Sequence, residues 1–260
     1  RRTSFPFFLQ IKINFCIQIL KYSIIIMDTK FWGPDGWRLL HSIAHNYPPN
    51  PSKTISSIYT EFFYSLSSVL PCIYCRISFK EYMDELPIEN YLKNSQTLSK
   101  WLYKIHNKVN QKLRNQKLND KKDPPFTEVY ARYNKYTECV NNKIESVPGF
   151  DFLYSITFNY TYTRDKMSQD RSDNYSVFFN LLPVIVPFTI LQKIYLRHII
   201  DNPINIDKQC NHSLKYWIYR LETTYRDYIK ESRPCFKKTC SDIAQYKVGC
   251  KNNTCRKSTE

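Results

Sequence analysis

Phe31-Trp32-Gly33-Pro34-Asp35-Gly36-Trp37-Arg38-Leu39-Leu40-His41-Ser42-Ile43-Ala44-His45-Asn46-Tyr47-Pro48 is the stretch on which the fold turns. Trp37, Leu40, Ile43 and Ala44 recur at three- and four-residue steps, the period of an amphipathic helix, and predict one over residues 31–45. Pro34 and Asp35 stand toward its front, where a fixed φ and an acidic side chain are welcome. Pro48, Pro49 and Pro51 end it. Working outward, Ile55, Ile58, Tyr59, Phe62, Phe63 and Leu66 share one face of a second helix over 55–70, stopped by Pro71. Further helices are predicted over 72–83 and 98–113, with a short one at 127–136. The segment 114–125 is polar, charged and ends in Pro-Pro, so it reads as a loop.

Beyond about residue 138 the texture changes. Residues 141–173 carry few helix signals, and partial alternation within 152–163 predicts short strands. Residues 175–200 are strongly apolar but contain Pro183 and Pro187, and the uninterrupted core is too short for a membrane span. Trp217, Leu221, Tyr225 and Tyr228 predict a helix over 212–231. The tail from Pro234 is polar and rich in cysteine. The expected architecture is mainly α, with one domain at 27–137 and a second, mostly helical one at 138–260. Residues 1–26 are expected to be a leader or translated upstream sequence ahead of Met27, because Lys12, Asn14 and Lys21 interrupt their apolar run.

The 260 residues suffice for one large core or two small ones. With only four glycines, glycine-rich phosphate loops and a turn-dense barrel are disfavoured. The net charge of +15 is spread along the chain: residues 1–26 carry four Lys or Arg and no acid, 27–137 carry 16 basic against 10 acidic, and 138–260 carry 18 against 13. Without a dense basic run, specific nucleic-acid binding is not the expected main function.

The chemistry gathers in the first domain. Cys72-Ile73-Tyr74-Cys75 follows Pro71 and opens a helical pattern. Two cysteines three apart at a helix start can close a disulfide with little backbone movement, and the helix N-terminus lowers the pKa of the first thiol. That suits thiol–disulfide exchange. Half of a zinc site is the competing reading, but it needs a second ligand pair, and none lies nearby in this domain. A thioredoxin-like reading needs βαβ patterning, which is missing.

The flanks narrow the choice. Trp37, His41 and His45 stand four apart and share a helix face. In Trp101-Leu102-Tyr103-Lys104-Ile105-His106-Asn107-Lys108-Val109-Asn110-Gln111-Lys112-Leu113, His106 and Asn110 are also four apart. The W-x3-H-x5-Y-P element, the CxxC and the H-N-x-V-N-x-K-L element occur in the order and near the spacing of the Erv/Alr sulfhydryl oxidase family. Over roughly residues 30–137 the chain resembles that family, and most of all the versions of large DNA viruses, including the giant amoebal ones.

The resemblance implies a four-helix bundle plus a short fifth helix, holding FAD in its core. It implies that Trp37 and His41 line the flavin and adenine end, with Tyr47 nearby. His106 and Asn110 contact the nucleotide, with Asn107 and Val109 beside them. Gly33 and Leu113 belong to the same cofactor-binding elements, Lys112 is a phosphate partner, and Phe126 takes the aromatic position of the closing loop. Cys75 sits against the flavin while Cys72 faces incoming thiols. A substrate thiolate attacks Cys72, a second thiol releases the disulfide product, and Cys75 passes two electrons to the flavin and on to O2, giving hydrogen peroxide. Protein thiols are the implied substrates, a homodimer the implied assembly, and host cytoplasm or virion the implied location. No metal is assigned. The structural disulfide found in many members is missing here, because Leu102, Tyr103 and the surroundings of Phe126 offer no cysteine. The tail Cys235-x4-Cys240-x9-Cys250-x4-Cys255 leaves three readings open: a shuttle pair relaying electrons to the CxxC, two structural disulfides, or a four-thiolate zinc site.

Overall fold

The structure is a computed structural model that describes residues 26–142, 149–160, 169–204, 206 and 210–248. The leader expected at 1–26 lies outside these except for Ile26, and so do Cys16, Cys250 and Cys255; of Cys139 only the helical backbone is described. The described residues are mainly α, and among them is one two-stranded antiparallel ribbon.

A short strand, β1 (Ile26–Met27), leads into α1 (Thr29–His45). Asp28 caps α1 by accepting from the Lys30 N–H at 2.9 Å, so the helix starts before Pro34 and carries it inside. The carbonyl that Pro34 leaves without an intrahelical donor belongs to Lys30, an exposed residue at the helix start. Ser52 caps α2 (Lys53–Val69) through the Ile55 N–H. Cys72 caps α3 (Ile73–Glu85), and a 3-10 turn at Ile88–Tyr91 leads to α4 (Ser95–Asn115). Asn94 and Thr97 close a reciprocal cap at the start of α4, and Lys112 and Arg114 complement its last turn. These four helices form the expected bundle. The fifth, α5 (Phe126–Asn142), is not short: it runs 17 residues, because neither Gly nor Pro interrupts it before Asn142.

After Gly149 comes α6 (Phe150–Asn159), where short strands were expected. Every one of its residues except Asp151 is buried, and a segment buried almost all round carries no clear helical stripe for a periodicity to reveal. Gly149 has φ +118°, and a Cβ there would meet Leu39 Cδ2 at 2.7 Å, so only glycine suits this entry. The apolar stretch around Pro183 and Pro187 folds as α7 (Gln169–Ile185) and α8 (Thr189–Asp201). Cys210 caps α9 (Asn211–Tyr228), and α10 (Phe236–Ala244) precedes β2 (Lys247–Val248), which pairs with β1. Among the described residues, no helix is long and apolar enough to cross a membrane.

The sequence texture breaks near residue 138, but the hydrophobic core does not. α7 lies along α2, and α6 lies along α1. Phe62 stacks on Phe178 with ring centroids 5.3 Å apart, Phe178 meets Phe152 edge-on, and Phe152 packs on Trp32. One buried cluster therefore includes residues from both segments.

Candidate active site

Three helices bring their aromatic and histidine faces together. The four-residue spacing on α1 aims Trp37 and His41 at α4, where Trp37 stacks flat on His106 with centroids 3.8 Å apart. His41 Nε2 lies 3.1 Å from His106 Nδ1, so one ring donates and the other accepts. From α5, Tyr133 stacks on the other side of His41 at 4.8 Å, Asn134 meets His45 Nε2 at 3.3 Å, and Tyr130 packs against His45. Burial, then the neighbouring His106 and Arg132, hold His41 well below the ordinary histidine range. Burial pushes His106 down to about 4, against the pull of Asp123. Both rings are neutral near neutral pH. Tyr133 is pushed up to about 12, chiefly by burial, and stays a neutral phenol.

One turn along α4 the face becomes charged. Asn110 Nδ2 donates to Asp123 at 2.7 Å, and Arg114 donates to both Asp123 oxygens, at 3.2 and 2.9 Å. Arg114 above all, helped by the Asn110 amide, keeps the Asp123 carboxyl below the usual carboxylate range. The polar loop at 114–125 is thus pinned to α4. Tyr103 OH donates to the Pro124 carbonyl at 2.8 Å, and Phe126 packs between Tyr103 and Tyr130.

Other expected residues go elsewhere. Lys112 Nζ donates to Ser78 Oγ at 2.7 Å, so it faces α3 and not the histidine face. Tyr47 is buried in the core, its OH 2.8 Å from Ser56 Oγ and donating to the Leu92 carbonyl, its ring edge-on to Tyr59. Asn107, Val109 and Leu113 are half-buried on α4. Gly33 is buried, yet a Cβ built on it meets no atom within 4 Å, so space remains beside the start of α1.

The CxxC sits at the turn between α2 and α3. Cys72 Sγ accepts from the Cys75 N–H at 3.4 Å, which is why the pair lies across a helix start. Cys72 is 0% exposed and Cys75 is half-buried. The turn that carries Cys72 is therefore enclosed, and of the two sulfurs Cys75 is the more accessible. Part of the enclosure is β1, whose Met27 N–H donates to the Pro71 carbonyl at 3.3 Å. β2 holds β1 in place, and the described chain leaves at Val248, one strand away from this turn.

A family model described as the Erv1 / Alr family matches residues 34–133. An FAD-linked sulfhydryl oxidase of African swine fever virus is 31% identical over 114 residues, 44% of this chain and 87% of that protein. The chain belongs to the Erv1/Alr family. A probable FAD-linked sulfhydryl oxidase of Acanthamoeba polyphaga mimivirus is 38% identical over 85 residues, 32% of this chain and 59% of the relative. The mitochondrial FAD-linked sulfhydryl oxidase ERV1 of Saccharomyces cerevisiae is 33% identical over 90 residues, 35% of this chain and 47% of the relative. The chain thus spans about half the length of these last two curated relatives.

Within this Erv1/Alr chain, sequence reading missed Tyr130, Tyr133, Asn134, Asp123 and Ser78. The aromatic residues three apart on the fifth helix were a usable signal. Asp123, in the loop, needed tertiary structure to be found. It also missed Arg76 and Arg171. Arg76 follows Cys75 directly and was findable, whereas Arg171 comes from α7, far along the chain, and carries no sequence signal.

Proposed function

We propose that this chain is an FAD-linked thiol oxidase that forms disulfides in protein thiols through Cys72 and Cys75. The observation that carries this reading is one bundle that holds a CxxC across a helix start and a stack of flat neutral rings on neighbouring helices. The donor set suits FAD. Trp37, His106, His41 and Tyr133 offer planar, uncharged surfaces for flat rings, and space remains beside Gly33. Trp37, His41, His106, Asn110 and their neighbours would hold the cofactor. Bound there, FAD would supply the two-electron acceptor for the reduced Cys72–Cys75 pair, with O2 as the final acceptor and hydrogen peroxide as the product.

The protein's own residues do the thiol chemistry. A substrate thiolate attacks one sulfur of the Cys72–Cys75 disulfide, the other sulfur leaves with the electron pair, and a second substrate thiol displaces the mixed disulfide. Cys75 is the more accessible member, so entry at Cys72 requires the turn at Pro71 to open. A second copy of the chain is the proposed partner, and host cytoplasm or virion the proposed location, in keeping with relatives from large DNA viruses. Of the tail cysteines proposed as a shuttle, Cys235 is exposed and Cys240 half-buried on or beside α10, while Cys250 and Cys255 lie outside the described residues.

The test is an absorption spectrum of the purified protein, followed by oxygen consumption with dithiothreitol for wild type and Cys75→Ala. A flavin spectrum with uptake abolished in the variant is the expected result. A colourless protein that consumes no oxygen after added FAD would sink the reading, leaving a binding protein with structural cysteines.

A further inference from the structure

Arg171 stands on α7, outside the residues matched to the family, yet its guanidinium reaches the last turn of α2, just ahead of the CxxC. Its Nε–H donates to the Ser68 carbonyl at 3.3 Å, and its plane lies over the ring of fully buried Tyr175. Arg76 holds the same turn from α3, with Nη1 donating to the Leu70 carbonyl at 2.6 Å. The Arg76 backbone N–H donates to the Cys72 carbonyl at 3.0 Å, so Arg76 stands in the first turn of the helix that Cys72 caps. Two guanidinium groups, one from each part of the chain, are thus fastened to carbonyls two and four residues ahead of buried Cys72. They are close enough to feel each other. Burial first, and the Arg171 charge next, lower Arg76 to about 10, while Tyr175 and then Cys72 and Cys75 pull it the other way.

We propose that Arg171, acting with Arg76, is a positioning residue for the redox pair: it keeps positive charge beside Cys72 and so favours the reduced, thiolate-bearing pair over the disulfide. The inference rests on the oxidase reading. A guanidinium stays charged at any working pH, and a charge in a partly buried turn is weakly screened. Stabilising the reduced state makes a disulfide a stronger oxidant, which is what a centre that oxidises substrate thiols requires. On this reading the C-terminal segment contributes to the redox centre as well as to the core. The competing role is structural, since both arginines also satisfy the last carbonyls of α2. The two roles differ in what they do to the potential.

The experiment equilibrates the full-length protein in glutathione buffers, quenches with an alkylating reagent, and weighs the tryptic peptide 54–76, which carries both cysteines. In the reaction followed, the Cys72–Cys75 S–S bond breaks and takes up two electrons and two protons. Two glutathione thiols supply them and join as one disulfide. For Arg171→Gln the equilibrium constant for reduction is expected to fall about tenfold, ~30 mV. Arg171→Met, which keeps an aliphatic stem against Tyr175, should shift it as far, and Arg171→Lys should stay near wild type. A folded neutral variant with the wild-type midpoint overturns the proposal. So does a lysine variant that shifts as far as the neutral ones. A wild-type protein that forms no disulfide within this peptide at any glutathione ratio removes the oxidase reading itself, and this inference with it.

Discussion

At the scale of the residue, the contact between His41 and His106 has room for one shared N–H and for no second proton. Burial puts the folded value of His106 at about 4, below the ordinary 6.5 of the unfolded chain, and His41 is shifted the same way. The unfolded chain therefore binds the extra protons first. Stability is full above about pH 7, falls as pH drops through 6.5, and levels off only below about 4. For His106 alone the loss at pH 5 is on the order of 2 kcal/mol. Asp151 works against it, because burial and then the Asp35 charge raise its carboxyl to about 6, and its protonation stabilises the folded state as pH falls. The useful quantity is therefore a difference. Urea unfolding at pH 7.5 and pH 5 should show wild type losing about 2 kcal/mol more than His106→Asn over that interval. Equal losses in the two proteins would mean that the His106 ring is not held neutral by its surroundings.

At the scale of the element, β1 and β2 act as a clasp. Met27 pairs with Lys247, Asp28 N–H donates to the Tyr246 carbonyl at 2.9 Å, and Phe31 stacks on Tyr246 at 4.0 Å, while Met27 N–H holds Pro71 just ahead of Cys72. A two-stranded ribbon this short has little stability of its own, so the Phe31–Tyr246 stack should set how often it opens. Tyr246→Ala is expected to raise the rate at which Cys72 is alkylated several-fold while the rest of the fold persists. An unchanged rate would mean that something other than the clasp encloses Cys72. None of this was readable beforehand, since two-residue strands far apart in sequence leave no pattern. The helices of the bundle were readable from their apolar period and from the breakers at their ends, Pro48, Pro71 and the Pro124-Pro125 pair, whereas the caps Ser52 and Asn94 went unread and both helices start earlier than expected. Trp37 and His41 were readable as sharing a face because helical spacing fixes it, whereas their meeting with His106 on another helix needed the fold. Lys112 was misplaced because sequence alone does not say which neighbouring helix a face meets, and α6 was misread because burial on almost every side erases periodicity.

At the scale of the whole molecule, the family match ends at residue 133 but the packing continues. Gly36 shows how closely the two segments fit: a Cβ there would come within 3.0 Å of the Phe152 ring, so this ring of α6 lies directly on the α1 backbone at that point. Phe152 in turn bridges Trp32 and Phe178, and a large aromatic removed from such a position costs about 3–5 kcal/mol. Polar contacts join the segments too, since Asp151 N–H donates to the Asp35 carboxylate at 3.0 Å. Two parts that share one core cannot lose it separately, which argues for a single cooperative transition. The tryptophans allow a direct check. Trp32, Trp37 and Trp101 report on the bundle and Trp217 on the C-terminal segment. Fluorescence of Trp217→Phe and that of a variant retaining only Trp217 should melt with the same midpoint, and Phe152→Ala should lower both midpoints together. Two separated transitions, or a Phe152→Ala effect confined to one probe, would show that the segments fold independently and that the shared aromatic contacts contribute little to holding them together.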